Sequence, residues 1–121
     1  MGLPYRLFIR PTLKFQDSEK AHYRSLFFLK KLSAFSVSRF ALSAVYQTKH
    51  DLPVNVFGHY YKHPFGLAAG MDKKAEALLG WQAIGLSFAE IGGVTMLEQS
   101  GNPKPRMFRS DKHKALINRM G

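Results

Sequence analysis

The segment Gly66-Leu67-Ala68-Ala69-Gly70-Met71-Asp72-Lys73 carries the residue types best suited to chemistry. Phe65 to Ala69 is a short apolar run that predicts a buried strand, and Gly70 ends it in a tight turn. Small residues at the C-terminal end of a strand let a flat ring or a phosphate approach the backbone. Lys73 sets a positive charge beside that approach, where it could hold an anionic substrate or offset negative charge on a reduced ring cofactor. On residue types alone, a tight turn with a solvated lysine accounts for the same segment more simply.

Gly92-Gly93 repeats the pattern at the end of a second apolar run, Phe88 to Val94, which Glu90 interrupts. Adjacent parallel strands bring their C-terminal loops together around one pocket, although a plain turn is the alternative. Neither glycine segment has the spacing of a dinucleotide-binding or Walker-type phosphate loop. Glu90 is expected either buried with a partner or facing a barrel interior, as a structural ion pair before a catalyst. His22, His50, His59, His63 and His113 form no helical metal pair and are expected at surfaces and turns. With no cysteine, disulfides, thiolate metal sites and a cysteine nucleophile are excluded, and no metal site is expected. Arg106, Arg109 and Arg119 could contact phosphates, but no aromatic stacking motif accompanies them.

The elements that must position these residues follow from periodicity. Asp17 or Ser18 can cap a helix on which Ala21, Phe28, Leu32 and Phe35 share one side with Leu29 beside them, while Tyr23 and Phe27 fall among Arg24, Lys30 and Lys31. Ser36 can cap a second helix carrying Val37, Phe40, Ala41, Ala44 and Val45, so residues 18–47 read as an amphipathic helical hairpin. Aromatics among basic residues suit a helix lying in a membrane interface, or packing on a neighbouring helix. Pro53 to Phe57 and Tyr60 to His63 read as two short strands joined at Gly58-His59. Lys74 to Ile84 reads as a helix closed by Gly85, which with the flanking apolar runs makes a parallel βαβ unit. Glu98 to Pro105 is a polar loop, Arg106 to Arg109 is extended, and Lys112 to Met120 reads as a helix.

Charge sharpens this division. The net charge is +10, of which residues 1–50 hold nine basic groups against two acids and residues 51–121 nine against six. A basic, aromatic-rich front half predicts attraction to a polyanion, either an anionic lipid surface or a nucleic acid. No stretch reaches the ~20 apolar residues of a spanning helix; Leu78 to Leu97 contains Gln82, Ser87 and Glu90. Pro4, Arg6, Arg10 and Pro11 interrupt any secretory core, Arg6 spoils a myristoylation pattern, and the two prolines weaken an amphipathic presequence helix.

Arg10-Pro11, Ala21-His22, Asn55 to Pro64, Gly66 to Lys73, Glu90-Ile-Gly-Gly-Val-Thr95, Gly101-Asn-Pro-Lys-Pro-Arg106 and Ile117-Asn-Arg-Met-Gly121 resemble, in order and spacing, the dihydroorotate dehydrogenases of the quinone-using class. The resemblance implies an α/β fold: residues 51–121 as the incomplete N-terminal part of an eight-stranded βα barrel, preceded by residues 1–50 as a membrane-associating amphipathic helical hairpin at the quinone entrance. It implies oxidation of dihydroorotate to orotate in pyrimidine (UMP) synthesis. FMN is the implied cofactor, a membrane quinone the acceptor, and the protein a monomer that binds no nucleic acid.

By the same resemblance, Ala69, Gly70, Met71, Asp72 and Lys73 match the FMN-contacting loop, joined by Gly92 and Gly93. Lys73 also matches a residue on the orotate carboxylate, and Asn118, Arg119, Met120 and Gly121 match the start of the substrate-binding loop. Gly93 stands where relatives usually carry Ser or Thr, and Met96-Leu97-Glu98 replaces a more usual proline-containing stretch. The serine base, a distal FMN lysine and the phosphate loops belong to later strands of a barrel of ~250 residues. No catalytic residue is therefore expected within these 121, and the sequence is expected to be an inactive fragment. A start this close to the hairpin leaves little room for a presequence and anchor, which points to the cytoplasmic face of a bacterial inner membrane, with the mitochondrial inner membrane as alternative. A different class remains open: a non-enzymatic basic module binding anionic membranes through residues 1–47, with a nucleic-acid module third.

Overall fold

The computed structural model describes residues 3, 5–48 and 50–121; Met1, Gly2, Pro4 and Lys49 lie outside them, and with them the expectation placed on Pro4. In chain order a π-helical turn, Tyr5–Ile9, leads into α1 (Arg10–Lys14), α2 (Ser18–Ser33) and α3 (Ser36–Tyr46). There follow β1 (Val54–Val56), β2 (His59–Tyr61), α4 (Leu78–Ala83), β3 (Met107–Ser110) and β4 (Ala115–Asn118). The chain forms two compact units, Met1–Ser25 with Thr95–Gly121, and Leu26–Val94.

In the first unit Pro11, a predicted obstacle to helix, is the second residue of α1, directly after the π-helical turn Tyr5–Ile9. Asp17 is the cap of α2: its Oδ1 accepts the Lys20 N–H at 3.0 Å. β3 and β4 pair antiparallel, from Met107 opposite Asn118 to Ser110 opposite Ala115. This corrects the helix expected over Lys112 to Met120. Lys114 takes φ 49°, which no helix interior tolerates, and the Ser110 hydroxyl and His113 Nδ1 lie 3.0 Å apart across the turn. Once the turn is made, Ile117 faces Phe108 across the ladder, a β-branched and aromatic pair that favours sheet.

Glu19, with its side chain 5 % exposed, anchors this unit. One carboxylate oxygen accepts from Arg106 Nε at 3.1 Å and Nη2 at 2.9 Å, and Lys104 Nζ stands 3.4 Å away. The hydrogen bond from Arg106 holds the Glu19 pKa below its ordinary value against the opposing effect of burial, with Lys104 assisting. A depressed carboxylate stabilises the fold fully above its unfolded pKa, and that contribution disappears as pH falls through the folded value. The thermal midpoint is therefore expected to drop as pH is lowered through and below the ordinary carboxylate range. Glu19→Gln should flatten that slope; an unchanged profile in the variant would show the pair contributes nothing.

In the second unit, α2 turns Leu26, Leu29 and Ser33 inward. A Cβ placed on Gly80 would collide with the Leu29 side chain, so α2 and α4 meet where the smallest residue faces a leucine. Of the side predicted for α2, Ala21 is buried, whereas Phe28, Leu32 and Phe35 are exposed. Arg39 Nη1 donates to the carbonyls of Ser33 at 2.7 Å and Ala34 at 3.2 Å, closing the end of α2. Ser36 lies inside α3 rather than capping it, and Val37, Phe40 and Val45 are 79 %, 76 % and 73 % exposed. The two consecutive helices are present as predicted, and α3 packs on α4.

β1 and β2 form the predicted hairpin, with Val54 opposite Tyr61 and Val56 opposite His59. Its turn is Phe57-Gly58, both at positive φ, one residue earlier than predicted. Leu67 pairs in parallel with Ala89 through the Leu67 N–H to Phe88 O and the Glu90 N–H to Leu67 O, each 2.9 Å. That is the parallel pairing expected of a βαβ unit, reduced to one isolated bridge, so neither Phe65 to Ala69 nor Phe88 to Val94 forms the strand expected of it. The helix between begins at Leu78, not Lys74, and ends with the Gly85 N–H on Gln82 O and the Leu86 N–H on Trp81 O, both 3.0 Å. This is the left-handed glycine cap that Gly85 predicts.

Candidate functional site

The late start of α4 has a cause that shapes the site. Asp72 is 1 % exposed, and its carboxylate accepts the N–H of Glu76 at 2.8 Å, the N–H of Ala77 at 2.9 Å and the indole N–H of Trp81 at 3.0 Å. Three donors on one buried carboxylate wind residues 72–77 into a turn, and Ala75, at φ 55°, keeps the helix from starting inside it. Lys30 Nζ binds Glu76 Oε2 at 3.0 Å on the outer side of that turn.

Because Asp72 faces inward, its neighbour Lys73 faces out. The Lys73 side chain is exposed while its backbone carbonyl accepts the Gly92 N–H at 3.0 Å. A Cβ on Gly92 would stand 2.9 Å from that carbonyl oxygen, so only glycine permits the approach. The loops that follow the two parallel-paired segments thus meet, as their sequence pattern predicts. Ala69, Gly70 and Gly93 are exposed, Met71 and Gly92 half-buried. Gly70 takes φ 93°, and a Cβ on either Gly70 or Gly93 would meet nothing within 4 Å. Bare backbone with open space above it suits a flat ring or a phosphate laid against the loop. Of the two places expected for Glu90, buried with a partner or facing a barrel interior, the first is not found, since Glu90 is exposed; His63, expected at the surface, is buried with its Nδ1 accepting the Phe65 N–H at 3.3 Å.

The remaining sequence-predicted residues lie in the first unit. Asn118 is exposed at the end of β4, opposite Met107. The Arg119 N–H donates to Arg106 O at 2.8 Å, Met120 O accepts the Asn102 N–H at 2.9 Å, and Gly121 takes φ 85°. Arg106, a candidate phosphate contact on sequence grounds, is instead engaged with Glu19. Trp81 is the residue that sequence reading passes over, and the partners of Asn102 and Glu19 are what it does not supply. The signal available for Trp81 is its place nine residues after Asp72, but nothing local marks Glu19 as the partner of a residue 87 positions away. Phe15, Gln16, Asp17, Lys20, Tyr23 and Arg24 also line an open groove of about 620 Å³. Among the described residues no helix is long and apolar enough to cross a membrane, and no group of three or more His, Cys, Asp or Glu is placed to hold a metal ion.

A family model described as Dihydroorotate dehydrogenase matches residues 51–121. The Dihydroorotate dehydrogenase (quinone) of Alkalilimnicola ehrlichii is 41% identical over 113 residues, which is 93% of this chain and 32% of that protein. The protein of the same name from Marinomonas sp. is 46% identical over 105 residues, 87% of this chain and 29% of that one. Among solved structures, the DHODH of Eimeria tenella in complex with ferulenol superposes with a TM-score of 0.69 at 40% identity, covering 88% of this chain and 27% of that one. The chain thus spans about a third of the length of the curated relatives it matches. With a family model over more than half its residues, the chain belongs to the dihydroorotate dehydrogenase family, and the curated relatives named here are of the quinone type.

Proposed function

We propose that residues 51–121 supply the flavin-side loop and the first part of the substrate-binding segment of an FMN-dependent βα-barrel enzyme that oxidises dihydroorotate to orotate with a membrane quinone as acceptor. The observation that carries this reading is the contact between the Lys73 carbonyl and the Gly92 N–H, flanked by open backbone at Gly70 and Gly93. Ala69 to Lys73, with Gly92 and Gly93, would hold the flavin, although Asp72 serves there through its backbone because its carboxylate is engaged inward. FMN at such a site supplies two-electron oxidation of the substrate. Lys73 holds a positive charge beside the substrate carboxylate. The Asn118 amide can donate to and accept from the edge of a pyrimidine ring, with Arg119, Met120 and Gly121 continuing that segment. Gly93 offers no hydroxyl, a loss of about 0.5–1.5 kcal/mol in flavin binding if nothing replaces it. The substrate proton is taken by a group outside residues 1–121, so these residues alone turn over nothing.

Residues 1–50 we assign to a membrane surface. Phe27, Phe28, Phe35, Val37 and Phe40 are exposed beside Lys30 and Lys31, and the Lys31 ammonium lies 5.6 Å from the Phe27 ring centre. An aromatic face with basic neighbours suits peripheral binding to an anionic bilayer, with the quinone drawn from it and the protein acting as a monomer at the cytoplasmic face of a bacterial inner membrane. The same exposure supports the competing reading of a non-enzymatic membrane-binding module. Flavin separates the two. A protein extending this chain through the whole barrel should purify yellow, reduce a soluble quinone with dihydroorotate and float with anionic liposomes, whereas residues 1–121 alone should show no turnover. A colourless extended protein that still floats favours the module; an active 121-residue chain overturns the placement of the base.

A further inference from the structure

Beyond β4 the hairpin register runs one residue further, with the Arg119 N–H on Arg106 O, and Arg119–Met120 are then held by bonds from the loop that precedes β3. Asn102 donates twice, from its backbone N–H to Met120 O at 2.9 Å and from its side-chain Nδ2 to Arg119 O at 3.0 Å, while Arg106 O receives the Arg119 N–H at 2.8 Å. The loop itself, containing Pro103 and Pro105 and therefore short of its own N–H donors, is gripped from within. Arg106 Nη1 donates to Ser100 O at 2.9 Å and Asn102 O at 3.2 Å, and the remaining edge of the same guanidinium sits on Glu19. The packing leaves no slack. A Cβ on Gly101 would collide with Met120 O and Arg106 Nη1, and one on Gly121 would come within 2.8 Å of Asn102 N.

We infer that Asn102 and Arg106 are positioning residues for substrate, acting through the segment Asn118–Gly121, with Glu19 of α2 fixing the guanidinium that fixes the loop. The inference rests on the reading of Asn118–Gly121 as a substrate-binding segment. Asn102 and Arg106 act through that segment: they set its backbone, and with it the aim of Asn118. A misplacement of about 1 Å, even one caused by a change far from the chemistry, can cost on the order of 10²-fold in rate. Glu19 thereby links the first turn of α2 to the place where substrate is held.

The test uses the flavin-loaded holoenzyme and four proteins: wild type, Asn102→Asp, Asn102→Ala and Asn118→Ala. Asn102→Asp is isosteric but turns an oxygen toward the Arg119 carbonyl in place of the donor; Asn102→Ala removes the side chain altogether. Orotate dissociation constants are measured by calorimetry, with bound flavin, thermal midpoint and the KM for quinone read in parallel. Both Asn102 variants are expected to weaken orotate binding by about tenfold and to raise the KM for dihydroorotate more than they lower kcat. Flavin content and the quinone KM should stay at wild-type values, which general loosening would move. Wild-type orotate affinity in both, with Asn118→Ala impaired, overturns the positioning role alone. Wild-type affinity in Asn118→Ala overturns the substrate reading and the inference with it. Loss of flavin in both Asn102 variants makes Asn102 a folding residue and also overturns the inference.

Discussion

Lys73→Ala in the holoenzyme is expected to lower kcat/KM for dihydroorotate by on the order of 10²-fold while leaving the thermal midpoint where it was. The two halves of that expectation come from two different parts of one residue. The side chain is exposed and its ammonium is what the proposed chemistry uses, whereas the carbonyl that meets the Gly92 N–H belongs to the backbone and survives the substitution. Surface truncations of this kind move stability by about 0.5 kcal/mol or less. Orotate binding should weaken in parallel, because the charge offsets the carboxylate in substrate and product alike. Lys73→Arg keeps the charge on a longer, planar group and should recover part of the loss. A Lys73→Ala enzyme with wild-type kcat/KM and flavin content would remove the lysine from the site.

The pieces of this structure that the sequence announces are those whose signals are local. Asp17 before an apolar-periodic run marks the start of α2, Gly85 marks the end of α4, and the alternation around Asn55 marks a hairpin. The meeting of the Lys73 and Gly92 loops was legible too, because parallel pairing of two apolar runs forces their C-terminal ends together. What stayed hidden depends on distant partners. Lys112 to Met120 has apolar spacing that satisfies a helix, but Phe108, Leu116 and Ile117 satisfy a ladder equally well, and the turn at Lys114 decides. The buried face of α2 could not be chosen from the helix itself. Glu19 goes inward because Arg106 awaits it and Leu29 because Gly80 makes room, so the aromatic side is left outside. The spacing of Lys74 to Ile84 fits one helix because the bonds to Asp72 are invisible to periodicity.

Those three bonds set the second large expectation: Asp72→Ala should cost about 3 kcal/mol of stability and take bound flavin with it. A hydrogen bond to a charged group contributes roughly 1.5–3 kcal/mol, and the alanine leaves two backbone N–H groups and the Trp81 indole N–H facing a void with no acceptor. Asp72→Asn keeps the shape and one acceptor oxygen, so it should cost about half as much. Trp81→Phe removes a single donor and should cost least, in the range of one such bond. Trp81 is the one tryptophan of the chain, which makes its fluorescence a direct reporter: emission should shift and broaden in Asp72→Ala before global unfolding, since the indole loses its anchor. The effect then passes to the next residue. With the 72–77 turn released, the Lys73 carbonyl no longer faces Gly92, and the open backbone at Gly70 and Gly93 loses its common orientation. Asp72→Ala should therefore lose flavin where Lys73→Ala keeps it, although Asp72 is buried and Lys73 is the residue exposed at the site. Denaturant unfolding with flavin absorbance read alongside separates the pair, and an Asp72→Ala protein with wild-type midpoint and full flavin would mean that the turn is held by something other than its carboxylate.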